Sequence, residues 1–157
     1  MGQRGFSLVE MLIVIGIIGI LLAIATLQFN QYTKKSGIEA QVKTMYTDIM
    51  NARAEALLQK SDRSMNWTTA QFSVYPNSTA TDPPLLRKTL SYQVISNDMT
   101  SIVSFDTRGV ASASKTVCVE PSGNPASVDS IIITAMSIQL GKRRTGETCN
   151  SDKIDAR

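Results

Sequence analysis

Gly5-Phe6-Ser7-Leu8-Val9-Glu10 decides the fold, because an uncharged apolar run from Met11 to Leu27 follows it directly. As a helix, the 17 residues of that run reach roughly 25 Å, near the low end of a bilayer core. Glu10 stands alone at the edge of the run. A carboxylate at the edge of a membrane-length helix is costly, so we expect Glu10 to have a specific role.

A second, amphipathic half is predicted to continue this helix. Apolar residues recur there at alternating spacings of four and three, which is typical of a helical stripe that packs on a sheet. The stripe consists of Ile38, Val42, Met45, Ile49, Ala52 and Ala56. Glu39 and Lys43 form a favourable i,i+4 pair on another face. The pattern therefore predicts one helix from about Phe6 to Lys60.

After Ser61 the pattern changes to short β-like runs separated by turn residues and two proline-containing loops. The strand candidates are Gln71–Tyr75, Leu90–Ile95, Ser101–Phe105, Thr116–Val119 and Ser130–Leu140. Asp106-Thr107-Arg108-Gly109 is predicted to be a turn. A helix followed by strands without intervening helices indicates an α+β fold with a mainly antiparallel sheet, one face of which the amphipathic half-helix covers.

The GFSLVE junction resembles the leader of type IV prepilins and type II secretion pseudopilins. The resemblance implies that a membrane-embedded prepilin peptidase cuts between Gly5 and Phe6 and that Phe6 is then N-methylated. It also implies that Glu10 pairs with the terminal amine of a neighbouring subunit during assembly. This agrees with electrostatics, since a buried carboxylate needs a cation.

The resemblance also implies the pilin fold and its division. Residues 1–5 are the leader, 6–29 the transmembrane and filament-core helix, 30–60 the amphipathic half, and 61–157 the β-rich head with a C-terminal tail. The precursor is expected to span the bacterial inner membrane once, with its head in the periplasm, before joining a filament. The implied partners are membrane lipid, other subunits and an inner-membrane assembly platform.

Three inner motifs resemble the GspH/FimT group of minor subunits. They are Asn51-Ala52-Arg53-Ala54-Glu55-Ala56, Phe105-Asp106-Thr107-Arg108-Gly109, and the final Ile138-Gln139-Leu140-Gly141-Lys142-Arg143-Arg144. For Arg53 and Glu55 we expect a solvated helix face.

The third motif raises an alternative function. FimT-like minor pilins that bind DNA share a Gly-Arg-x-Arg motif, whereas this chain has lysine at the first basic position. Lys142, Arg143 and Arg144 would then neutralise phosphates, although lysine lacks the bidentate fork of arginine. A solvated basic tail is the simpler interpretation.

The two cysteines, Cys118 and Cys149, are expected to form a disulfide if the head lies in an oxidising compartment. Two unpaired thiols are the alternative. The bridge would tie the polar C-terminal tail to the sheet.

Enzymatic function is not expected. The chain has no histidine, which removes the commonest general base and metal ligand, and two cysteines alone do not close a zinc site. We therefore expect no cofactor and no metal, and interpret the chain as a structural subunit. An anchored periplasmic domain that never assembles is the remaining rival.

Overall fold

The computed structural model describes residues 6–99 and 102–157. It begins with one long helix, α1, from Leu8 to Gln59, which ends at Lys60 in the left-handed conformation (φ 51°). This confirms the long helix predicted from the two apolar patterns. Residues 1–5, which include the predicted leader, lie outside the described residues.

Every member of the predicted stripe is buried. Ile38, Val42, Met45, Ile49, Ala52 and Ala56 are each at most 3% exposed. They form one side of the main hydrophobic core, and the two sheets supply the other side. The helical period therefore identified this packing face correctly.

The described strands form two antiparallel sheets. A four-stranded sheet has the order β3-β2-β1-β5, and a five-stranded sheet has the order β4-β6-β7-β8-β9. Their bounds are β1 Arg63–Trp67, β2 Gln71–Tyr75, β3 Leu86–Thr89, β4 Val94–Ser96, β5 Val103–Phe105, β6 Lys115–Val119, β7 Ser130–Ile133, β8 Ile138–Arg143 and β9 Ile154–Ala156. The predicted α+β fold is confirmed. The expected sheet is divided in two, and the predicted strand Ser101–Phe105 is shorter, with Ser101 outside the described residues.

The strand predicted over Leu90–Ile95 is right only at its end, because β4 covers Val94–Ser96. Residues 90–93 form a connection that turns towards α1, where Gln41 bonds the main chain of Tyr92 twice: its Nε2 donates to the Tyr92 oxygen (2.8 Å) and its Oε1 accepts from the Tyr92 nitrogen (2.9 Å). The Tyr92 ring lies against Gly37, where an added Cβ would collide with the Tyr92 hydroxyl. A contact with the helix therefore replaces the first four residues of the predicted strand.

The single long strand predicted over Ser130–Leu140 is also wrong, because β7 and β8 form a hairpin there. Its turn is closed by hydroxyl groups: Thr134 Oγ1 lies 2.8 Å from Ser137 Oγ and accepts from the Ser137 nitrogen at 3.0 Å. Met136 is 77% exposed at this turn.

The sequence patterns missed β1. Arg63 is 5% exposed although it is charged, because Ser61 Oγ, the Asp62 carbonyl and the Gln59 amide oxygen accept hydrogen bonds from its guanidinium. Trp67 ends the strand in the core, with its ring centroid 5.3 Å from that of Phe72. Lys115 is also buried there with its ammonium 5.3 Å from the Trp67 ring, and burial lowers the pKa of Lys115.

Candidate functional site

The first half of α1 packs against no other part of the described chain. Every residue from Phe6 to Ile24 is exposed, including Leu8 at 82% and Phe6 at 73%. Among the described residues, α1 is the one helix that is long and apolar enough to cross a membrane. Its most apolar stretch has a mean hydropathy of 2.9. An apolar surface of this size needs lipid or protein to cover it.

Glu10 is the only charged residue between Phe6 and Thr33. It lies in the first turn of α1, whose N-cap is Ser7, and it is exposed. Within the described ranges no cation lies at ion-pair distance from it. The helix N-terminus favours a carboxylate there, but the macrodipole does not replace a full positive charge. The site is therefore an acid without a partner of its own, five positions from the predicted cleavage bond, of which Gly5 lies outside the described residues.

The three basic residues of the third motif do not form a solvated tail. Lys142 and Arg143 lie within β8, and Arg144 follows it. The Lys142 ammonium donates to Asp129 Oδ2 (2.7 Å), and Arg143 is 2% exposed with its guanidinium 2.8 Å from Glu120 Oε1. The expectation of a solvated tail is wrong because carboxylates distant in sequence bind these cations.

Asp129 organises this end of the five-stranded sheet, and it is fully buried. Its Oδ1 accepts from Ser130 Oγ (2.7 Å) and from the Arg143 nitrogen (2.8 Å), while its Oδ2 accepts from Asn124 and Lys142. A buried carboxylate with this many donors is satisfied as an anion. The sequence showed the charged residues, but it gave no signal that Asp129 and Lys142 would form an ion pair in the fold.

Arg144 is the most exposed of the three cations. Its side chain is 55% exposed, and its Nη2 donates to Asp155 Oδ1 at 2.8 Å. That hydrogen bond raises the pKa of Arg144. The basic motif therefore presents one partly paired cation on the surface rather than three free ones.

The disulfide expected between Cys118 and Cys149 is present, with a Cα–Cα distance of 5.9 Å. Cys118 lies in β6, and Cys149 lies in the C-terminal segment that folds over the outer face of the five-stranded sheet. Both cysteines are buried in a second hydrophobic cluster, separate from the main core. The bridge does tie the end of the chain to the sheet.

The expectation of a solvated face is wrong for Arg53 but holds for Glu55, whose side chain is 48% exposed. Arg53 Nε donates to the Gly109 carbonyl at 2.8 Å, and Glu55 Oε2 lies 3.4 Å from Arg63 Nε. Gly109 belongs to the predicted turn and has φ 70°, a conformation that glycine adopts easily. Arg53 therefore fastens α1 to the head, whereas the half-exposed ion pair of Glu55 adds little.

Glu39 fastens the opposite end of the amphipathic half. Its Oε1 accepts a 2.8 Å hydrogen bond from the Ser127 nitrogen, and its Oε2 lies 3.8 Å from the Lys43 ammonium, as the i,i+4 spacing predicted. The Ser127 hydrogen bond, with smaller contributions from Lys35 and Lys43, lowers the pKa of Glu39. Asp48 and Lys88 form a further link between helix and sheet at 2.7 Å.

Across residues 6–99 and 102–157, no group of three or more His, Cys, Asp and Glu side chains is arranged to hold a metal ion. The distinctive features are thus an exposed apolar half-helix with one acid and a head fastened to the second half.

Comparisons with known proteins agree with these features. Residues 1–26 match the family described as the prokaryotic N-terminal methylation motif. A type IV major fimbrial protein FimA from Dichelobacter nodosus is 31% identical over 121 residues, covering 72% of this chain and 77% of the relative. A second FimA from the same organism is 36% identical over 90 residues, covering 52% and 57%.

Solved structures show the same fold. The type IV minor pilin FimU of Pseudomonas aeruginosa superposes with a TM-score of 0.56 at 16% identity, covering 79% of this chain and 96% of that one. The minor pseudopilin EpsH of the Vibrio cholerae type 2 secretion system gives 0.52 at 14% identity, covering 65% and 94%. With its methylation motif, its exposed apolar half-helix and its sequence similarity to FimA, the chain belongs to the superfamily of type IV pilins and type II secretion pseudopilins, as a structural subunit.

Proposed function

We propose that a prepilin peptidase cleaves this chain between Gly5 and Phe6 and that the product assembles into a type IV pilus or a type II secretion pseudopilus. The observation that carries the proposal is the exposed half-helix from Phe6 to Ile24, with Glu10 as its only charge. Such a surface is stable in lipid or against other helices, but not in water. The rest of the chain folds into a head with its own core.

Before assembly, the apolar half would hold the protein in the bacterial inner membrane as a single-pass precursor with its head in the periplasm. Moving the half-helix from lipid to neighbouring helices changes its apolar environment little, so hydrophobicity alone does not drive or direct that step. An inner-membrane assembly platform would supply the direction.

The pairing of Glu10 would set the register. Cleavage converts the amide nitrogen of Phe6 into an amine, which N-methylation leaves able to carry a positive charge. Glu10 of one subunit would then neutralise the terminal ammonium of a neighbour. A buried charge pair of this kind contributes specificity of placement more reliably than it contributes stability.

The experiment compares Glu10→Ala and Glu10→Gln in the native host. Both variants are expected to insert into the membrane, and both to reach sheared filaments at least about tenfold less than the wild type, since an unpaired buried ammonium is costly. Immunoblots of membrane and sheared fractions measure the two steps. Mass spectrometry of the membrane form reads the N-terminus.

Asp82→Asn is the matched control, because it removes one exposed loop carboxylate and leaves the helix unchanged. It is expected to assemble normally. Normal incorporation of both Glu10 variants would contradict the pairing, and an uncleaved N-terminus on the wild-type protein would contradict the whole proposal, favouring an anchored domain that never assembles.

The proposed role is structural and non-enzymatic. DNA binding through Lys142, Arg143 and Arg144 stays an untested prediction, and the geometry favours it little, because phosphates would have to compete with Asp129, Glu120 and Asp155. Neighbouring genes that encode a secretion system, rather than a pilus or competence system, would distinguish the two machines.

A further inference from the structure

Two of the four edge strands of the head keep an open side. β3 ends the four-stranded sheet and β9 ends the five-stranded sheet, and no other segment of the described chain pairs with their outer sides. The other two edge strands are partly covered, since β5 forms a bridge with Ala111 and the Val94 nitrogen of β4 donates to the Thr69 carbonyl at 2.9 Å. An unpaired strand edge is a template for pairing with another chain.

The hydrogen bonds of β3 show which of its main-chain groups remain free. The Leu90 nitrogen donates to the Ala70 carbonyl of the neighbouring strand connection at 2.8 Å. In this register the main chain of Lys88 faces β2, and that of Arg87 and Thr89 faces outwards. β3 therefore offers donors and acceptors along its outer side.

The same reasoning identifies the free groups of β9. The Arg157 nitrogen donates to β8 at 2.9 Å, so the main chain of Asp155 faces β8 and that of Ala156 faces outwards. The Ile154 carbonyl also points outwards, whereas its nitrogen bonds the Ser151 carbonyl. β9 thus offers a complementary set of donors and acceptors.

The charges of the two edges match in one antiparallel register, which places Arg87 opposite Ala156. The next residues along the strands, Lys88 and Asp155, then also lie opposite each other. Unlike charges at opposite positions stabilise a sheet, and like charges destabilise it. A shift of two residues in either direction puts a second cation opposite Lys88 instead. The register is therefore specified by charge.

Lys88 and Asp155 are both accessible to a second partner. Lys88 bonds Asp48 and stays 36% exposed, and Asp155 bonds Arg144 and stays 59% exposed. An ammonium has three donors and a carboxylate several acceptor sites, so neither is saturated by one ion pair.

This register also brings Arg157 to an acidic cleft. The cleft, of about 220 Å³, lies between α1 and the start of β3, and Asp48, Glu55 and Leu86 line it. Leu86 is the residue opposite Arg157 in this register. Arg157 is exposed, and no carboxylate of the described residues lies at ion-pair distance from it. A guanidinium there matches the half-exposed carboxylate of Glu55.

The joined sheet would keep both copies of α1 on one side. Lys88 projects to the α1 side of its sheet, where it bonds Asp48 at 2.7 Å. Asp155 projects to the α1 side of its own sheet, because its strand partner Lys142 lies two residues from Leu140, which packs against the main core. Residues directly opposite each other share a face, so the two helices lie on the same face.

The strand directions make the two helices parallel. β3 runs against α1, because its Lys88 bonds Asp48 and the connection after it bonds Gln41. β8 also runs against α1, since it begins beside the turn bonded to Arg53 and ends beside the loop bonded to Glu39. β9 is antiparallel to β8 and so runs along α1. Antiparallel pairing of β3 with β9 of another copy therefore sets the helices parallel, as a filament built on their apolar halves requires.

We propose that heads of neighbouring copies join edge to edge, with β3 of one paired to β9 of a second copy in the Arg87–Ala156 register. The inference rests on the proposed assembly and adds the surface through which the heads meet. Because the two edges differ, a joined pair keeps one free β3 and one free β9, so the contact repeats along a filament. An interface this small holds only where α1 already brings the copies together.

The test is a disulfide between the two edges, made with Arg87→Cys/Ala156→Cys in the native host. Opposite residues of an antiparallel pair have Cα atoms about 5.5 Å apart, a separation that a disulfide spans. Ser78→Cys/Ala156→Cys is the matched control, because Ser78 is exposed in the loop between β2 and β3. Sheared filaments of the first variant are expected to give a ladder of linked chains, with about tenfold more dimer than the control.

The wild-type protein supplies a second measurement if the cysteine variant does not assemble. A carbodiimide condenses a carboxylate with an amine in contact, with loss of one water, and should join Asp155 of one copy to Lys88 of another. Mass spectrometry of the dimer band identifies the joined peptides. Arg157→Gln should lower the yield about threefold, whereas Arg108→Gln, which removes an arginine that is 80% exposed elsewhere on the head, should not.

The outcomes separate this inference from the proposed function. Cleaved protein in sheared filaments that gives neither cross-link above its control overturns the edge pairing and leaves the proposed function intact. Wild-type protein that is neither cleaved nor assembled overturns both.

Discussion

The two halves of α1 have similar lengths and both carry isoleucines, but their surroundings are opposite. In the second half, Ile38 and Ile49 are fully buried against the sheets, whereas in the first half Ile15 and Ile20 are 68% and 65% exposed. The second half explains why the head folds, because its stripe completes the core. The first half has no explanation within one chain. Its exposed apolar residues are explained only if lipid or another subunit covers them.

The largest expected effect tests this contrast with the same substitution in each half. Ile49→Ala is expected to lower the free energy of unfolding of the head by about 3 kcal/mol, because it leaves a cavity in the main core. Ile18→Ala, at a position that is 48% exposed, should leave head stability unchanged. Denaturation of the full chain in detergent, followed by the fluorescence of the only tryptophan, Trp67, measures both. Similar losses in the two variants would show that the halves are not independent.

Glycine substitutions test the same contrast between the two halves of α1, with a smaller expected loss of stability. Gly37→Ala places a methyl group against Tyr92, whose ring must move, and we expect a loss of about 1 kcal/mol after the gain in helix propensity. At Gly19 an added Cβ meets nothing within 4 Å, so Gly19→Ala should not change the unfolding of the head. Adding Tyr92→Phe to Gly37→Ala removes the closest clashing atom and should recover part of the loss. No recovery would mean that the Tyr92 hydroxyl is not the obstacle.

The smallest effect concerns pH. Because the pKa of Glu39 is lowered below 4.5 in the folded protein, the unfolded state binds more protons as the pH falls through that range. The contribution of Glu39 is thus complete above pH 4.5 and is lost as the pH falls through the lower, folded pKa. Glu39→Gln should cost less than about 1 kcal/mol near neutral pH, and the difference from the wild type should shrink as the pH falls through the lowered pKa of Glu39. A difference that stays constant with pH would exclude this linkage.

The sequence predicted the helix and its buried face because a helix repeats its environment every few residues, and one chain segment carries the whole pattern. The β hairpin between Ser130 and Leu140 was missed for the opposite reason. Its turn contains neither glycine nor proline, and the hydroxyls of Thr134 and Ser137 close it instead. An alternating run therefore looked continuous across a reversal that only side-chain hydrogen bonds reveal.

The residues of the candidate site likewise divide into those whose surroundings the sequence predicted and those whose surroundings it did not. Glu10 is isolated because the residues next to it in sequence are uncharged, so the sequence alone predicted its isolation. The burial of Lys142 and Arg143 depends on Asp129 and Glu120, whose positions beside β8 follow from the sheet topology. Charge counting treats every cation as solvated unless a partner is nearby in sequence, which explains why the basic motif looked like a free tail.

Polar links join α1 to four separate parts of the head, at four positions along the helix. They are Glu39 with Ser127, Gln41 with Tyr92, Asp48 with Lys88, and Arg53 with Gly109. Along the helix axis these links cover about 21 Å. A pulling force applied to α1 would thus be divided among these polar links rather than concentrated at one loop. The head would therefore rotate together with α1. The orientation of each head in a filament would thus be set by the orientation of its own helix.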